Sequence, residues 1–212
     1  MEKVRKSMPM KCAGKTYMGR LALRDSGWRM GRLTVLGVFC VLLAAPNLQG
    51  QRPAPSEYEV KATYLYNFAR FTEWPAKDAS VKGDSFGVCV LGRDPFGSIL
   101  DTILAGEAIG GKQMVHRRIS AAQDAGNCRI VFISSSEKSR LKETLAAMER
   151  MNVLTVSDIP DFSVRGGMIE FVVERDKIRF EVNIETAGQA GLTLSSELLK
   201  VAVSIRNSQP GE

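Results

Sequence analysis

Three short patterns in this 212-residue sequence contain residue types that could carry out chemistry. The segment Gly106–Lys112 (GEAIGGK) matches most of a phosphate-binding P-loop, and Ser135–Lys138 (SSEK) has the Ser-x-x-Lys spacing of penicillin-binding proteins. His116, the only histidine, is the third candidate, because imidazole can act as a general base or as a zinc ligand. Each pattern needs particular companion residues before that chemistry is possible.

The sequence lacks the companions that these patterns require. Gln113 stands where a P-loop has the Ser or Thr that holds Mg²⁺, and the segment follows a predicted helix and precedes a predicted strand, the reverse of a P-loop. Neither Ser-x-Asn nor Lys-Thr-Gly follows Ser135. No partner can be placed beside His116, which is therefore interpreted as a solvated strand residue. The sequence predicts no catalytic, cofactor-binding or metal site.

Residues 1–50 have the features of a secretory leader. An apolar run of thirteen residues, Leu33–Ala45, follows a basic region and precedes a polar exit. Thirteen helical residues span about 20 Å, less than the roughly 30 Å hydrocarbon core of a bilayer, so export with cleavage near Gly50 is favoured over a permanent membrane helix. Met30 is an alternative start, because it would give a leader of ordinary length.

The basic charge of the chain is confined to that leader. Nine of the 29 bases and two of the 23 acids lie in residues 1–50, so residues 51–212 carry a net charge of −1 although the whole chain carries +6. No stripe of Lys and Arg interleaved with aromatic residues occurs beyond the leader. The charge distribution therefore argues against nucleic acid as a partner.

Two cysteines, Cys89 and Cys128, remain after the leader is removed. An exported chain meets an oxidising compartment, so one disulfide is predicted, with two buried free thiols as the alternative. Closing the loop between them would stabilise the fold by about 4 kcal/mol in the chain-entropy model.

The order of predicted elements indicates the fold class. Apolar residues from Glu57 to Trp74 fall on one helical stripe, and beyond them β-rich runs alternate with segments of helical spacing. This alternation predicts an α/β domain with a mainly parallel, Rossmann-like sheet and flanking helices. Met168–Glu174 and Ile178–Asn183 flank a tight turn and predict a C-terminal antiparallel hairpin, and Leu194–Ile205 predicts a final amphipathic helix.

The domain organisation follows from these elements. Residues 1–50 are the N-terminal extension and secretory signal, and residues 51–56 form a linker that contains two prolines. Residues 57–206 form a single folded domain, and residues 207–212 form a tail.

Two blocks of the sequence resemble the YfiR/HmsC-like family of exported bacterial proteins. The first runs from Val60–Ala62 (VKA) through Tyr64–Phe68 (YLYNF) to Glu73–Pro75 (EWP). The second contains GGMIEF, then RFEVN, and then AGL and SSELL in the family's order and spacing. The residues that match the motifs, as structural or interaction residues, are Tyr66, Asn67, Phe68, Trp74, Gly166, Gly167, Met168, Ile169, Phe171, Arg179, Phe180 and Asn183.

The resemblance implies a non-enzymatic periplasmic protein, without a cofactor, that binds the periplasmic portion of an inner-membrane diguanylate cyclase. Repression of that cyclase would lower cyclic-di-GMP and biofilm formation. The resemblance also implies the Cys89–Cys128 disulfide, sequestration by an outer-membrane lipoprotein, and homodimers. The alternative is a periplasmic small-molecule or envelope-binding module without a cyclase partner, because parallel sheets offer ligand crevices at the carboxyl ends of their strands.

Overall fold

A computed structural model describes residues 54–75 and 84–207 of the chain. The predicted signal in residues 1–50 lies outside the described residues, as does the predicted tail beyond residue 207. Among the residues that are described, no helix is both long enough and apolar enough to cross a membrane.

The first helix, α1 (Glu57–Arg70), begins at a capping box. The Ser56 hydroxyl accepts a hydrogen bond from the Glu59 backbone amide, and the Glu59 carboxylate accepts one from the Ser56 amide at 2.6 Å. Together the two bonds satisfy amides that the first helical turn leaves unpaired. The helix ends at Arg70 and not at Trp74 as predicted, because residues 72 and 73 form a short strand instead.

The other elements form one large sheet, a two-stranded sheet and flanking helices. In chain order they are β1 (Thr72–Glu73), β2 (Ser85–Leu91), α2 (Ser98–Leu104), β3 (Ala108–Ile109), β4 (Lys112–Ile119), a 3-10 helix (Ala122–Asn127), β5 (Ile130–Ile133), a 3-10 helix (Ser135–Arg140), α3 (Leu141–Met148), β6 (Leu154–Ser157), β7 (Ile169–Glu174), β8 (Lys177–Asn183), α4 (Ile184–Gln189), β9 (Thr193–Leu194), α5 (Ser196–Val201) and β10 (Ser204–Arg206).

The large sheet has the strand order β10-β8-β7-β6-β5-β2-β4-β3. The five consecutive strands from β4 to β7 are parallel to one another. The antiparallel hairpin of β7 and β8 continues the sheet, and β10 adds to β8 in the parallel sense. This arrangement confirms the predicted α/β fold with a mostly parallel sheet and flanking helices.

Both faces of the sheet are covered by apolar residues. The face under α1, α2, α4 and α5 carries the larger core, which contains the aromatic side chains Phe68, Phe171 and Phe180. The face under the first 3-10 helix and α3 carries a smaller core that includes Cys89 and Cys128. The two sulfurs form a disulfide between Cα atoms 5.9 Å apart, and both residues are buried.

The C-terminal segment differs from the single helix predicted over Leu194–Ile205. Helix α5 ends at Val201, and the chain then extends so that β10 pairs with β8. The backbone amide of Val203 donates to the carbonyl of Phe180 at 3.0 Å, which starts this pairing. Apolar residues at 201, 203 and 205 are compatible with a strand as well as with a helix. The strand forms because β8 has an edge with which residues 204–206 can pair.

Candidate protein-interaction surface

Exposed apolar side chains concentrate at one edge of the large sheet. Among the described residues, five large hydrophobic side chains are exposed, and three of them lie within a five-residue segment. Val201 is 56% exposed, Val203 41% and Ile205 46%. We call this segment, residues 201–206, which ends with β10, the β10 edge. Contiguous exposed apolar groups of this kind mark surfaces that bind other molecules.

The backbone at the β10 edge is also available for pairing. Within the part of the chain that the structure describes, β10 pairs with β8 on one side and with no strand on the other. An unpaired edge presents N–H and C=O groups that an extended segment of another chain can complete. Strand addition of this kind supplies affinity through the backbone and specificity through alternate side chains.

A partly buried polar network fixes the β10 edge to the rest of the sheet. The Arg206 guanidinium donates to the Glu181 carboxylate at 3.1 and 3.2 Å and to the Ser163 hydroxyl at 3.1 Å. The same Ser163 hydroxyl donates to Glu170, which is 6% exposed. Through Ser163, the loop between β6 and β7 is tied to both strands of the hairpin and to β10.

Glu170 is the centre of this network. Its two carboxylate oxygens accept from the backbone amides of Asp161 and Ser163, each at 2.9 Å. Asn183 completes the arrangement, because its amide nitrogen donates to the Ser163 carbonyl while its oxygen caps α4 at Thr186. A buried carboxylate is tolerated only when its lone pairs are occupied in this way.

The two adjacent glycines of the family motif serve this loop for different reasons. Gly166 has a φ of +97°, a conformation that residues with a Cβ rarely adopt. Gly167 is required by space, because a Cβ at this position would overlap the ring of Phe162. Both glycines therefore shape the approach to β7 directly beside the Glu170 network.

Three aromatic residues of the predicted set meet in the larger core. The rings of Phe68 and Phe180 pack edge to face with centroids 5.0 Å apart, and those of Phe68 and Phe171 stack at 5.8 Å. Met168 and Ile169 are buried beside them. These buried motif residues join α1 to the hairpin.

The other predicted residues lie apart from one another. The Tyr66 hydroxyl donates to Glu107 at 2.7 Å, and Trp74 packs edge to face on Phe86. Asn67 is half-buried on α1, and Arg179 is exposed on β8. The structure therefore does not gather Tyr66, Asn67, Trp74 and Arg179 into one site.

Local sequence patterns indicate neither the exposed edge nor its support. The apolar spacing over Leu194–Ile205 predicts a helix at Val201, Val203 and Ile205, and no local pattern marks Glu170, Ser163 or Arg206. The alternation of apolar residues from 201 to 205 was the available signal, since a period of two is typical of a strand.

A buried ion pair links α1 to the end of β6. The Lys61 ammonium, in a residue only 3% exposed, donates to Asp158 at 2.6 Å and to Glu57 at 2.5 Å. Burial alone would lower the pKa of Lys61, but these two hydrogen bonds outweigh burial and raise the pKa. Burial and the nearby Asp158 charge raise the pKa of Tyr58. The Lys61 ammonium therefore acts as a charged clamp between α1 and the end of β6.

His116 is not the solvated residue that the sequence suggested. Its side chain is fully buried, with Nδ1 3.0 Å from an Asp101 oxygen and Nε2 3.8 Å from an Asp94 oxygen. Helix α2 and the loop before it cover this part of β4, so alternation along the strand alone could not show the burial. Among the described residues, no group of three or more potential ligands could hold a metal ion.

The two remaining motifs occur in structural settings. Gly106–Lys112 includes the short β3 and the turn before β4, and Gly110 and Gly111 both have positive φ there. Ser135 and Lys138 are exposed on a 3-10 helix. Neither segment has the surroundings that its enzymatic counterpart requires.

The carboxyl ends of the parallel strands, where ligands of such sheets bind, hold two small cavities, one of about 190 Å³ beside Leu91 and one of about 250 Å³ beside Asp158. The strand order reverses direction at β2, whose neighbours are β4 and β5, and ligands of such sheets bind beyond the carboxyl ends at this point. There a Cβ at Gly92 would overlap Ser136 Oγ, and the Arg93 amide donates to that same hydroxyl at 3.0 Å. Glu137, which is buried, lies against the same glycine.

Comparison with known proteins identifies relatives at the level of sequence family and of fold. A family model described as YfiR/HmsC-like matches residues 58–203. No curated protein matches the chain. A conserved domain protein from Vibrio cholerae O1 biovar El Tor strain N16961 has a similar fold, with a TM-score of 0.51 at 11% identity over 71% of this chain.

A second solved structure, the ABC domain from Streptococcus pneumoniae in complex with L-Trp, has a TM-score of 0.44 at 7% identity over 67% of this chain. In both comparisons the match covers 60% of the solved chain. The Vibrio structure supports the α/β fold and nothing beyond it.

Proposed function

The chain belongs to the YfiR/HmsC-like family, and from that premise we propose that it is a non-enzymatic periplasmic repressor of an inner-membrane diguanylate cyclase. Members of this family are periplasmic regulators of cyclic-di-GMP signalling, and the family is regulatory and not catalytic. In the proposal the protein binds the periplasmic portion of the cyclase, holds it in an inactive arrangement, and so lowers cyclic-di-GMP and biofilm output.

The β10 edge is the observation that carries this proposal. A repressor without an enzymatic site must act by binding, and the edge offers both apolar side chains and unpaired backbone groups. The second family block, Gly166–Asn183, builds the network that holds this edge in place. In this proposal the motif residues of the second block support the docking surface.

The alternative of a small-molecule module at the carboxyl ends of the strands receives less support. A ligand would have to use the small cavities there, whose charged lining groups are already paired, Lys61 with Asp158 and Arg140 with Glu137. Ser136 and Glu137 also occupy the space beside Gly92. A ligand there would have to displace side chains that are already hydrogen-bonded to each other at 3.3 Å.

The test is to measure cyclic-di-GMP in a strain that lacks the gene and carries one of several complementing copies. Deletion should raise cyclic-di-GMP, and the wild-type copy should restore the original level. A copy with Val203→Asp and Ile205→Asp should fail to restore it, because two carboxylates at exposed edge positions oppose apolar docking without disturbing the core.

Ala108→Asp provides the matched control, since Ala108 is exposed on β3 at the opposite edge of the same sheet. This copy should restore repression fully. Unchanged cyclic-di-GMP on deletion would reject repression of a cyclase, whereas full restoration by the β10-edge variant would reject the edge as the docking surface. Immunoblots of periplasmic extracts would show that all copies accumulate equally.

Two further partners form part of the proposal. An outer-membrane lipoprotein would sequester the repressor, and two copies of the chain would form a homodimer, as the family resemblance implies. Co-purification from solubilised envelopes tests the first, and sedimentation of the purified protein tests the second. Loss of cyclase binding when the lipoprotein is overproduced is the expected sign of competition for one surface.

A further inference from the structure

A cleft of about 260 Å³ lies far from the carboxyl ends of the parallel strands. It is bounded by α3, by α4 and by the loop that precedes β7, next to Thr155 near the start of β6. Its apolar lining is aliphatic and includes two thioethers, with no aromatic ring: Leu145, Ala146, Met148, Met168 and Ala190. Because methionine side chains are flexible, they adapt to the shape of an apolar ligand chain better than rigid side chains do.

Two cations lie at this cleft, Lys142 on α3 and Arg165 in the loop. Both residues are exposed, and within the described ranges no carboxylate lies within 4.0 Å of the charged group of either. Glu149 is the acid among the lining residues, so the lining carries a net charge of +1. The positive charges are therefore available to an anion that enters from solvent.

We propose that this cleft binds an alkyl carboxylate, with the chain on the aliphatic lining and the head group at Lys142 and Arg165. The guanidinium of Arg165 matches a carboxylate in a two-bond geometry, which a neutral or cationic head group could not use. The cleft volume of about 260 Å³ is just below the usual range of roughly 300 to 1,000 Å³ for ligand sites, so a short chain is expected. This inference does not depend on the proposed cyclase partner.

The proposal is tested by titrating sodium octanoate into the purified exported protein, with methionine methyl groups labelled with ¹³C. The methyl signals of Met148 and Met168 should shift, while that of Met114, buried in the larger core and outside the cleft, should not. In calorimetry, each methylene added between hexanoate and octanoate should tighten binding about fourfold, equivalent to about 0.8 kcal/mol. Arg165→Gln and Lys142→Gln should each weaken binding by about fivefold or more.

Matched controls decide the outcome. Lys138→Gln removes an exposed charge outside the cleft and should leave octanoate binding unchanged. Ala146→Phe, at an exposed helix position, should fill the cleft and abolish binding without altering the fold. The proposal is overturned if octylamine binds as tightly as octanoate, if Ala146→Phe binds normally, or if the Met148 and Met168 signals remain unmoved.

Discussion

The two edges of the large sheet are built in opposite ways. At one end, β3 is only two residues long and folds back on β4 through a turn of two glycines. The next exposed positions of β4 are arginines with partners, since Arg118 pairs with Asp94 and Arg117 donates to Ser85. At the other end, the β10 edge exposes valines and an isoleucine. A short, charged edge resists pairing with other chains, whereas an apolar edge invites it.

The two halves of the sheet also differ in what stabilises them. The half near β4 is cross-linked by the disulfide between Cys89 in β2 and Cys128, which lies just before β5. The half near β10 has no disulfide among the described residues and depends on Glu170, Ser163 and the fit of Gly167. A covalent crosslink therefore stabilises the half that ends at β3, and hydrogen bonds stabilise the half that ends at β10.

Removing the disulfide should give the largest effect on stability. Replacing both cysteines, Cys89→Ala and Cys128→Ala, releases a crosslink with a sequence separation of 39 residues. The free energy of unfolding, measured in urea, should fall by about 4 kcal/mol, because the unfolded chain regains conformational freedom. Reduction of the wild-type protein should produce a similar loss. A loss well below 1 kcal/mol in both cases would show that the crosslink does not support this half.

Gly167→Ala should give the next largest effect, in the half near β10. The new methyl group would overlap the Phe162 ring, so the loop must move and the free energy of unfolding should fall by up to about 3 kcal/mol. Gly126→Ala is the matched control in the other half, because nothing lies within 4 Å of a Cβ there. It should change stability by no more than about 0.5 kcal/mol. Equal effects of the two substitutions would remove the distinction.

Glu170→Gln tests the polar network at nearly constant shape. The amide keeps one acceptor but turns an NH₂ group toward backbone donors, so a loss of about 2 kcal/mol is expected. Hydrogen exchange at the backbone amides of β10 should accelerate along with the global loss. Glu174→Gln, at the exposed end of β7, should leave both quantities at the wild-type values. Unchanged exchange at β10 in Glu170→Gln would disconnect the network from the edge.

The smallest expected effect concerns alkaline pH and the Lys61 clamp. The folded pKa values of Lys61 and Tyr58 are raised, so the unfolded chain releases these protons first as the pH rises. Their contribution to stability is complete below the ordinary pKa of each group, about 10, and is lost as the pH rises through the raised values. Between about pH 9 and about pH 11, a range that brackets the ordinary pKa values of these groups, the free energy of unfolding should therefore fall less for Lys61→Met than for the wild-type protein.

Lys138→Met serves as the reference for that measurement, since Lys138 is exposed. Its pH dependence should follow the wild-type curve. If Lys61→Met instead loses stability as steeply as the wild-type protein above about pH 9, which is roughly one unit below the ordinary lysine pKa, then titration of Lys61 does not affect stability.

Local sequence patterns account for the elements that depend on neighbouring residues. The apolar stripe from Glu57 predicts α1, and the runs at β2, β5 and β6 with helical segments between them indicate a parallel sheet. The hairpin of β7 and β8 was also visible, because alternation and a tight turn are local signals. The family motifs pointed to the C-terminal region without showing what its residues do.

Features that join distant residues appear first in the three-dimensional structure. Lys61 lies on the apolar face of α1 because Asp158, 97 positions away, receives its ammonium. His116 is buried because α2 covers β4, and residues 204–206 form a strand because β8 offers an unpaired edge. Local propensity is weak compared with burial and pairing, and these depend on partners far apart in the chain. The β10 edge is one of these features. The family motif includes residues that support it, but the edge itself forms only when β10 pairs with β8.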